Sequence, residues 1–482
     1  MARRDWTVPA LGFAQEVACR KSVAEVVRLP TPELSRVRLH QFLRVVSFAV
    51  ALAAPLSLFA GEPSADNWRP NTYHPLFTAA ERTRPHVQTR SFSLADWPFL
   101  DGQWEGILCD SDGDVWFSIA SHSPHHHAQL FRYDRRQDRI EHVADVGEAC
   151  GETDSGNPPQ DKIHTQMWED GDAIYCGTCE GHATDTSGYR GGYWLKIDKG
   201  TRELEAMAKS ISGEGLYVMG YDNRRKILYA HTNLNGKLLS FDPATGKERL
   251  LGIPWKGTKA RWPRSLNLMV APDGRVYGSK PGTVIWLYDP ATGRIRDLDL
   301  KNPRPPDPDS EPSAAERYSE SQGLRMTVWD GVDQCFYAIR GADEMLMRFV
   351  PPHGDKQGRL EAVQKMGLKD HRYGNRYAPC TLVLLGRTLY FTPYTGWGGI
   401  AHLQSYDLAA KQFTDHGPIV VEGNRRVAEC QSLAAGKDGR LYLVAFVYSV
   451  KGVDPVRPYA MRDVYPFHPR FAIIDPRKDC RR

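Results

Sequence analysis

A chain of 482 residues with 62 basic and 58 acidic side chains carries a formal charge of only +4, spread along its length. That balance argues against a dedicated nucleic-acid surface and leaves a neutral or acidic small molecule or glycan as the easier partner. Nine cysteines in a chain of this size are too few for a disulfide-built scaffold.

In chain order, the first legible element is a leader. Arg36, Arg38 and Arg44 precede an apolar run at 45–60, VVSFAVALAAPLSLFA, which ends in small residues and gives way to polar GEPSADN. A charged flank, a short apolar core and a small-residue exit describe a secretory signal. Pro55 interrupts the run, and its 16 residues fall short of the roughly 20 that span a bilayer as a helix. Residues 1–60 are therefore read as an N-terminal extension and signal peptide, with export to the periplasm or beyond and no stable membrane anchor. Eight cysteines follow the leader, and an oxidising compartment leaves room for one or two bridges whose pairing the sequence does not assign. Residues 61–103 form an N-terminal segment with one strand-like stretch, VQTRSFSLA at 87–95.

From 104 to 482 the chain repeats. Seven β-rich runs begin with VWFSIA (115–120), IYCGTC (174–179), ILYAHT (227–232) and VYGSK (276–280), and end with CFYAIR (335–340), LYFTPY (389–394) and LYLVAF (441–446). Each precedes a second run that closes on an aromatic or aliphatic residue and usually Asp. Two of these continue as Asp-Pro-Ala-Thr-Gly, at 242–246 and 289–293, a spacing of 47. Strands and Gly/Asp turns at that period, without helical patterning between them, predict an all-β fold: a seven-bladed β-propeller of four-stranded antiparallel blades. The seventh repeat has only PRKDCRR after FAIID and so lacks an outer strand. An open edge invites pairing, and the 87–95 stretch is predicted to fill it, closing the ring by joining the two ends of the chain.

Strand direction sorts the loops. Short turns such as 111–113, 272–274 and 437–439 share one face with the turns after the Asp-ended strands, whereas the other face receives longer loops, at 121–129, 180–192, 393–402 and 448–470. Long loops on a rigid scaffold are where binding and chemistry concentrate. Lys162, Ile163, His164 and Thr165 open the innermost strand of the second repeat, and His182 lies in the long loop of that repeat. His164 is expected at the channel mouth with His182 above it, two imidazoles suited to proton transfer near neutral pH. Tyr229 and His231, two residues apart, share one side of the third sheet, and the tyrosine is a candidate proton donor. Arg261 and Arg264 open the fourth inner strand, and Arg325 lies in the fifth; arginines around one mouth would hold a carboxylate. Trp397 and Tyr394, among glycines, suit stacking on a sugar ring. With His127, His231, Arg261 and Arg325 they make up the candidate substrate-binding set.

Each of these residues also has a structural reading. A strand tyrosine is usually packing, and a histidine often hydrogen-bonds a neighbouring strand. His122, His125, His126 and His127 raise a metal site, but adjacent residues rarely converge on one ion. Cys176 and Cys179 have zinc-knuckle spacing, yet their odd offset in a strand sends them to opposite faces. No Gly-rich phosphate cradle, Gly-x-Ser-x-Gly elbow or His-Glu-x-x-His helix occurs.

KIHTQMWEDGDAIYCGT, followed by Tyr-x-Gly-Gly at 189–192, resembles the exported bacterial seven-bladed propellers that include ulvan lyases and related polysaccharide lyases. The resemblance implies β-elimination on a uronic-acid-containing glycan, an acidic polysaccharide or oligosaccharide. It also implies catalytic roles for His164, His182 and Tyr229, with Arg264 placed by geometry as the carboxylate partner. The chemistry itself requires no cofactor; a structural or catalytic metal ion stays open. Two other readings stand beside it. One is a glycan- or protein-binding propeller without activity. The other is a metal-dependent lactonase or hydrolase, to which Glu214 and Glu429 would contribute.

Overall fold

A computed structural model describes residues 76 to 481, apart from 77, 80, 122, 124, 154–156, 181–187, 234, 256–267, 281–282, 304–322, 341–344, 367–380, 394–399 and 449–466. The chain divides into two units, Met1–Trp68 and Arg69–Arg482, and every described residue belongs to the second. The predicted leader lies outside the described residues, as do His182, Arg261, Arg264, Tyr394 and Trp397.

Strands follow the predicted order blade by blade. Ile107–Cys109, Val115–Ile119, Gln129–Asp134 and Arg139–Asp145 form blade one, all antiparallel. Blades two to five repeat the pattern as separate four-stranded sheets. The innermost strands of neighbouring blades touch one another around the axis. Seven apolar clusters fill the seams between successive blades, including one between blades seven and one. A core divided this way has no centre, so the axis itself is left to polar side chains.

The aspartates that end the third strands have a local cause. Asp242 Oδ1 accepts the backbone N–H of Ala244 (3.0 Å), and Asp289 Oδ1 that of Ala291 (2.9 Å); Asp134, Asp198 and Asp407 do the same two residues on. Each carboxylate thus starts its own turn. The turn then needs a residue at positive φ, supplied by Gly246 and Gly293 (both 66°) and elsewhere by Asp138, Arg202 and Lys411. The short-turn face is clasped between blades: Lys199 of blade two reaches Glu169 (2.6 Å) and Asp112 of blade one (2.9 Å).

Ring closure occurs as predicted. Arg90–Ser93 is the outer strand of blade seven, paired antiparallel with Phe467–Ile474. The Phe92 ring packs against Tyr133 of blade one and Phe471 of blade seven, with centroids 5.5 and 6.2 Å away. Closure is more extensive than one strand. His86–Gln88 lies parallel to the end of Gln412–Val421 in blade six, and the terminal Cys480–Arg481 pairs antiparallel with it. The residues after FAIID first make a helical turn, Pro476–Asp479, capped by Asp475. Gln412–Val421 also turns directly into Arg425–Glu429, which pairs with the second strand of blade seven, so blades six and seven share one eleven-stranded sheet.

Because Phe92 bridges the closing seam from a half-buried position, Phe92→Ala should cost about 2 kcal/mol of unfolding free energy, read as a lower urea midpoint. An unchanged midpoint would mean that the N-terminal strand does not hold the ring shut.

Candidate functional site

The segment before the first strand of blade two is fixed to blade three by side chains at alternate positions. His164 Nδ1–H donates to the Tyr217 carbonyl (3.0 Å), Gln166 Oε1 accepts the Met219 N–H (3.0 Å), and Trp168 Nε1–H donates to the Met219 carbonyl (3.1 Å). The period of two puts all three on one side of an extended chain. The imidazole also stacks on the Tyr217 ring, with centroids 3.8 Å apart, and lies nearly parallel to Trp104 of blade one at 6.1 Å. Burial, with the charges of Lys162 and Arg325 adding to it, pushes His164 down to about 3. It is therefore neutral at physiological pH, with its proton on Nδ1.

Beside it, Lys162 is fully buried, and its ammonium sits 3.8 Å over the Trp104 ring with no hydrogen-bond partner. Both carboxylate oxygens of buried Asp161 likewise lack one. Desolvation raises Asp161 well above the usual carboxylate range and lowers Lys162, while their mutual attraction opposes both shifts. Tyr217 is buried and its phenol pushed up, chiefly by desolvation. Further around the axis stand Arg325 of blade five, Glu105 of blade one and Glu429 of blade seven, all half-buried. Arg325 acts electrostatically on both carboxyls and on His164 and Tyr217. His164, Tyr217 and Arg325 thus face one polar throat.

The other candidates lie elsewhere. Tyr229 is in the seam between blades three and four, 6.0 Å from the Tyr288 ring, with Asp222 and Arg225 of the short-turn face acting on its hydroxyl. The phenol next to His164 is that of Tyr217. His231 shares the Tyr229 side of the sheet, as the alternation predicts. It is buried 6.3 Å from the Trp286 ring and lies against the backbone of Gly236. Burial lowers it to about 4.

His127 is a brace: its Nδ1 accepts the Gln160 N–H at 3.0 Å. Buried Gln160 in turn accepts from Thr178 Oγ1 (2.7 Å) and Tyr189 Oη (2.8 Å) and donates to the Gly191 carbonyl (3.0 Å). A Cβ on Gly192 would come within 2.3 Å of the Thr178 carbonyl. The Tyr-x-Gly-Gly motif therefore anchors the end of the loop that carries His182.

Neighbouring His126 stacks on Phe99 at 4.2 Å instead of joining His127. Cys176 belongs to the seam between blades one and two and Cys179 to a cluster on the opposite side. The seven described cysteines are free thiols, so the room left for bridges is not used among them. Glu214 is held by Thr232, Asn235 and Lys237. Among the described residues no three His, Cys, Asp or Glu side chains are grouped so as to hold a metal ion, and no helix is long and apolar enough to cross a membrane.

No family model matches the chain, and neither does any curated protein. Among solved structures, a chain of the mitotic checkpoint complex is 10% identical, with 80% of this chain and 94% of that one covered and a TM-score of 0.47. The WD40 repeats of RRP9 are 9% identical over 78% and 96%, with a TM-score of 0.46. The extracellular domain of a hybrid two-component system of B. thetaiotaomicron is 11% identical over 77% and 40%, with a TM-score of 0.44. The propeller assignment rests on the strand pairing itself.

A histidine held neutral in the fold but charged when unfolded withdraws stability as pH falls. His231 has a folded value near 4 against about 6.5 unfolded, so its contribution is complete above pH 6.5 and fades toward pH 4. Relative to His231→Phe, the wild type should lose about 1 kcal/mol per pH unit across that window in urea titrations. Parallel pH curves for the two proteins would show that His231 titrates normally.

Proposed function

We propose that the throat binds the uronate residue of an acidic polysaccharide or oligosaccharide and that the chain cleaves the glycan by β-elimination, after export. The observation that carries this reading is the fixed tautomer of His164. Its proton is committed to the Tyr217 carbonyl, and the remaining nitrogen is an unprotonated base in the field of Arg325.

The proton beside a uronate carboxylate becomes acidic only when the developing enolate is neutralised. Arg325 has the charge for that role. His164 Nε2 takes the proton from C5, the electron pair forms the C4–C5 double bond, and the C4–O bond breaks. The leaving oxygen takes a proton from the Tyr217 phenol, which replaces Tyr229 in that role because its ring is the one stacked on His164. His182 and Arg264, which lie outside the described residues, remain part of the proposal as a further base and a further partner for the carboxylate. The step consumes no oxidant, reductant or cofactor.

One observation favours a second reading. An imidazole pushed to about 3 is a weak base, and a stacked, hydrogen-bonded ring suits recognition without turnover, as in a glycan-binding propeller.

A panel of polyuronides separates the two. Cleavage should release products with a new double bond that absorbs in the ultraviolet, and His164→Ala should slow release by about a hundredfold or more, with Tyr217→Phe lowering kcat more than it raises KM. Saturable binding that survives His164→Ala, with no ultraviolet product, would replace the lyase reading by the binding one.

A further inference from the structure

The throat histidine has a buried cation for a neighbour. Lys162, two residues ahead of His164 in the same segment, is wholly buried, and its ammonium lies 3.8 Å from the centre of the Trp104 ring. That ring is in turn nearly parallel to the imidazole, at 11° and a centroid distance of 6.1 Å. Together the two separations put the ammonium within about 10 Å of the imidazole, where little water screens it. The backbone fixes this placement: the Lys162 carbonyl accepts the Cys179 N–H at 3.0 Å, and the two residues form an antiparallel bridge. Burying an ammonium is costly, and the face of an indole offsets part of that cost while leaving the charge in place.

We propose that Lys162 is a positioning residue for His164: its ammonium, held charged on the Trp104 face, opposes a second proton on the imidazole and so keeps Nε2 available as a base in acidic surroundings. This inference rests on the reading of His164 as the base of the throat and assigns the residue that sets the pH range in which that base works. A uronate carboxyl, with a pKa of roughly 3.5, stays ionised over most of the same range.

The electrostatics agree with the geometry. Burial is the first cause of the low value of His164, and the charge of Lys162 comes next, ahead of that of Arg325. Burial works against the lysine's own charge, whereas the buried acids Asp161, Glu180 and Asp101, with Cys179, favour it. Falling pH also favours the ammonium, so its effect on His164 is complete on the acid side. The other titratable groups around the imidazole keep one charge state between pH 6 and pH 4. The Tyr217 phenol is pushed up, and Glu105 and Glu429 are raised by desolvation to about 8 and about 7. Arg325 is a permanent cation.

Removing the ammonium should therefore raise His164 from about 3 by about one pH unit, the effect of a unit charge at that separation. The test follows the His164 imidazole by NMR in the full chain with isotope-labelled histidine, its resonance assigned from His164→Gln. In the wild type the resonance should stay nearly flat down to pH 4, with about a tenth of the ring protonated there; in Lys162→Met about half should be. Lys162→Arg, which keeps a cation on the indole, should restore the wild-type titration. With a polyuronide substrate, the acid limb of kcat/KM should rise by the same amount in Lys162→Met. Should that variant fail to fold, Asp161→Asn combined with Lys162→Met removes the adjacent acid as well and carries the same expectation.

Superimposable His164 titrations with and without the lysine, or a Lys162→Arg curve that follows Lys162→Met, would each overturn the proposal. Ultraviolet product from polyuronides alongside an unmoved titration would sink this inference and leave the lyase reading intact. The reverse result, a titration that moves without product, would do the opposite.

Discussion

The pairing of Arg90–Ser93 with Phe467–Ile474 is the constraint on which the rest depends. A propeller buries its apolar surface in seams between blades, and an unclosed ring leaves one of those seams open. Here the closing seam is also where the throat is assembled. Glu105 of blade one and Glu429 of blade seven stand on either side of it, and the Glu105 N–H donates across it to the Gln431 carbonyl at 3.3 Å. Ser432 reaches Gln103 over the same boundary. The chain ends therefore hold together the boundary across which blades one and seven meet.

Electrostatics in the throat follow from the same architecture. With the apolar residues drawn into seven separate seams, the innermost segments carry polar and ionisable groups into a space with little water. Desolvation is then the first cause of almost every shift there, for Glu105, Glu429, His164, Tyr217, Asp161 and Lys162 alike. Each group moves toward its neutral form. What results is a set of groups shifted toward their neutral forms around one arginine, a different environment from the ion pairs that clasp the short-turn face, where contact with each other raises Lys199 and lowers Glu169.

The fold was legible because its signals are local. Asp at the end of most third strands marks a turn in which the carboxylate caps the next N–H groups, and the lack of an outer strand after FAIID announces the borrowed one. The parallel pairing of His86–Gln88 was not legible: it depends on where blade six ends in space, and nothing in HVQ specifies a parallel neighbour. In the site, the places of His164 ahead of the second inner strand and of Arg325 in the fifth were legible from the repeat. That Tyr229 lies in a seam and Tyr217 beside His164 was not legible, since alternation tells which residues share a face but not whether that face looks at the axis or at the next blade. Trp104 and Glu105, adjacent just ahead of the first inner strand, carry no motif, and Glu429 stood out in the sequence only as a contributor to a metal-dependent site. Aligning the starts of the seven inner strands would have been the signal, because those positions alone converge.

In the proposed elimination His164 would combine a structural role with a chemical one. Its bond to the Tyr217 carbonyl belongs to the same alternating series as Gln166 and Trp168, which stitches blade two to blade three. That stitch is what selects the Nδ1–H tautomer, and the tautomer is what leaves Nε2 without a proton. Stacking then brings the Tyr217 phenol ring against the same imidazole. A histidine free of the seam would be more basic, but it would exchange tautomers and rotate, and the unprotonated nitrogen would have no fixed relation to Arg325. The seam thus exchanges basicity for position, and preorganisation of this kind has its effect where the reacting charge is shared among groups already in place.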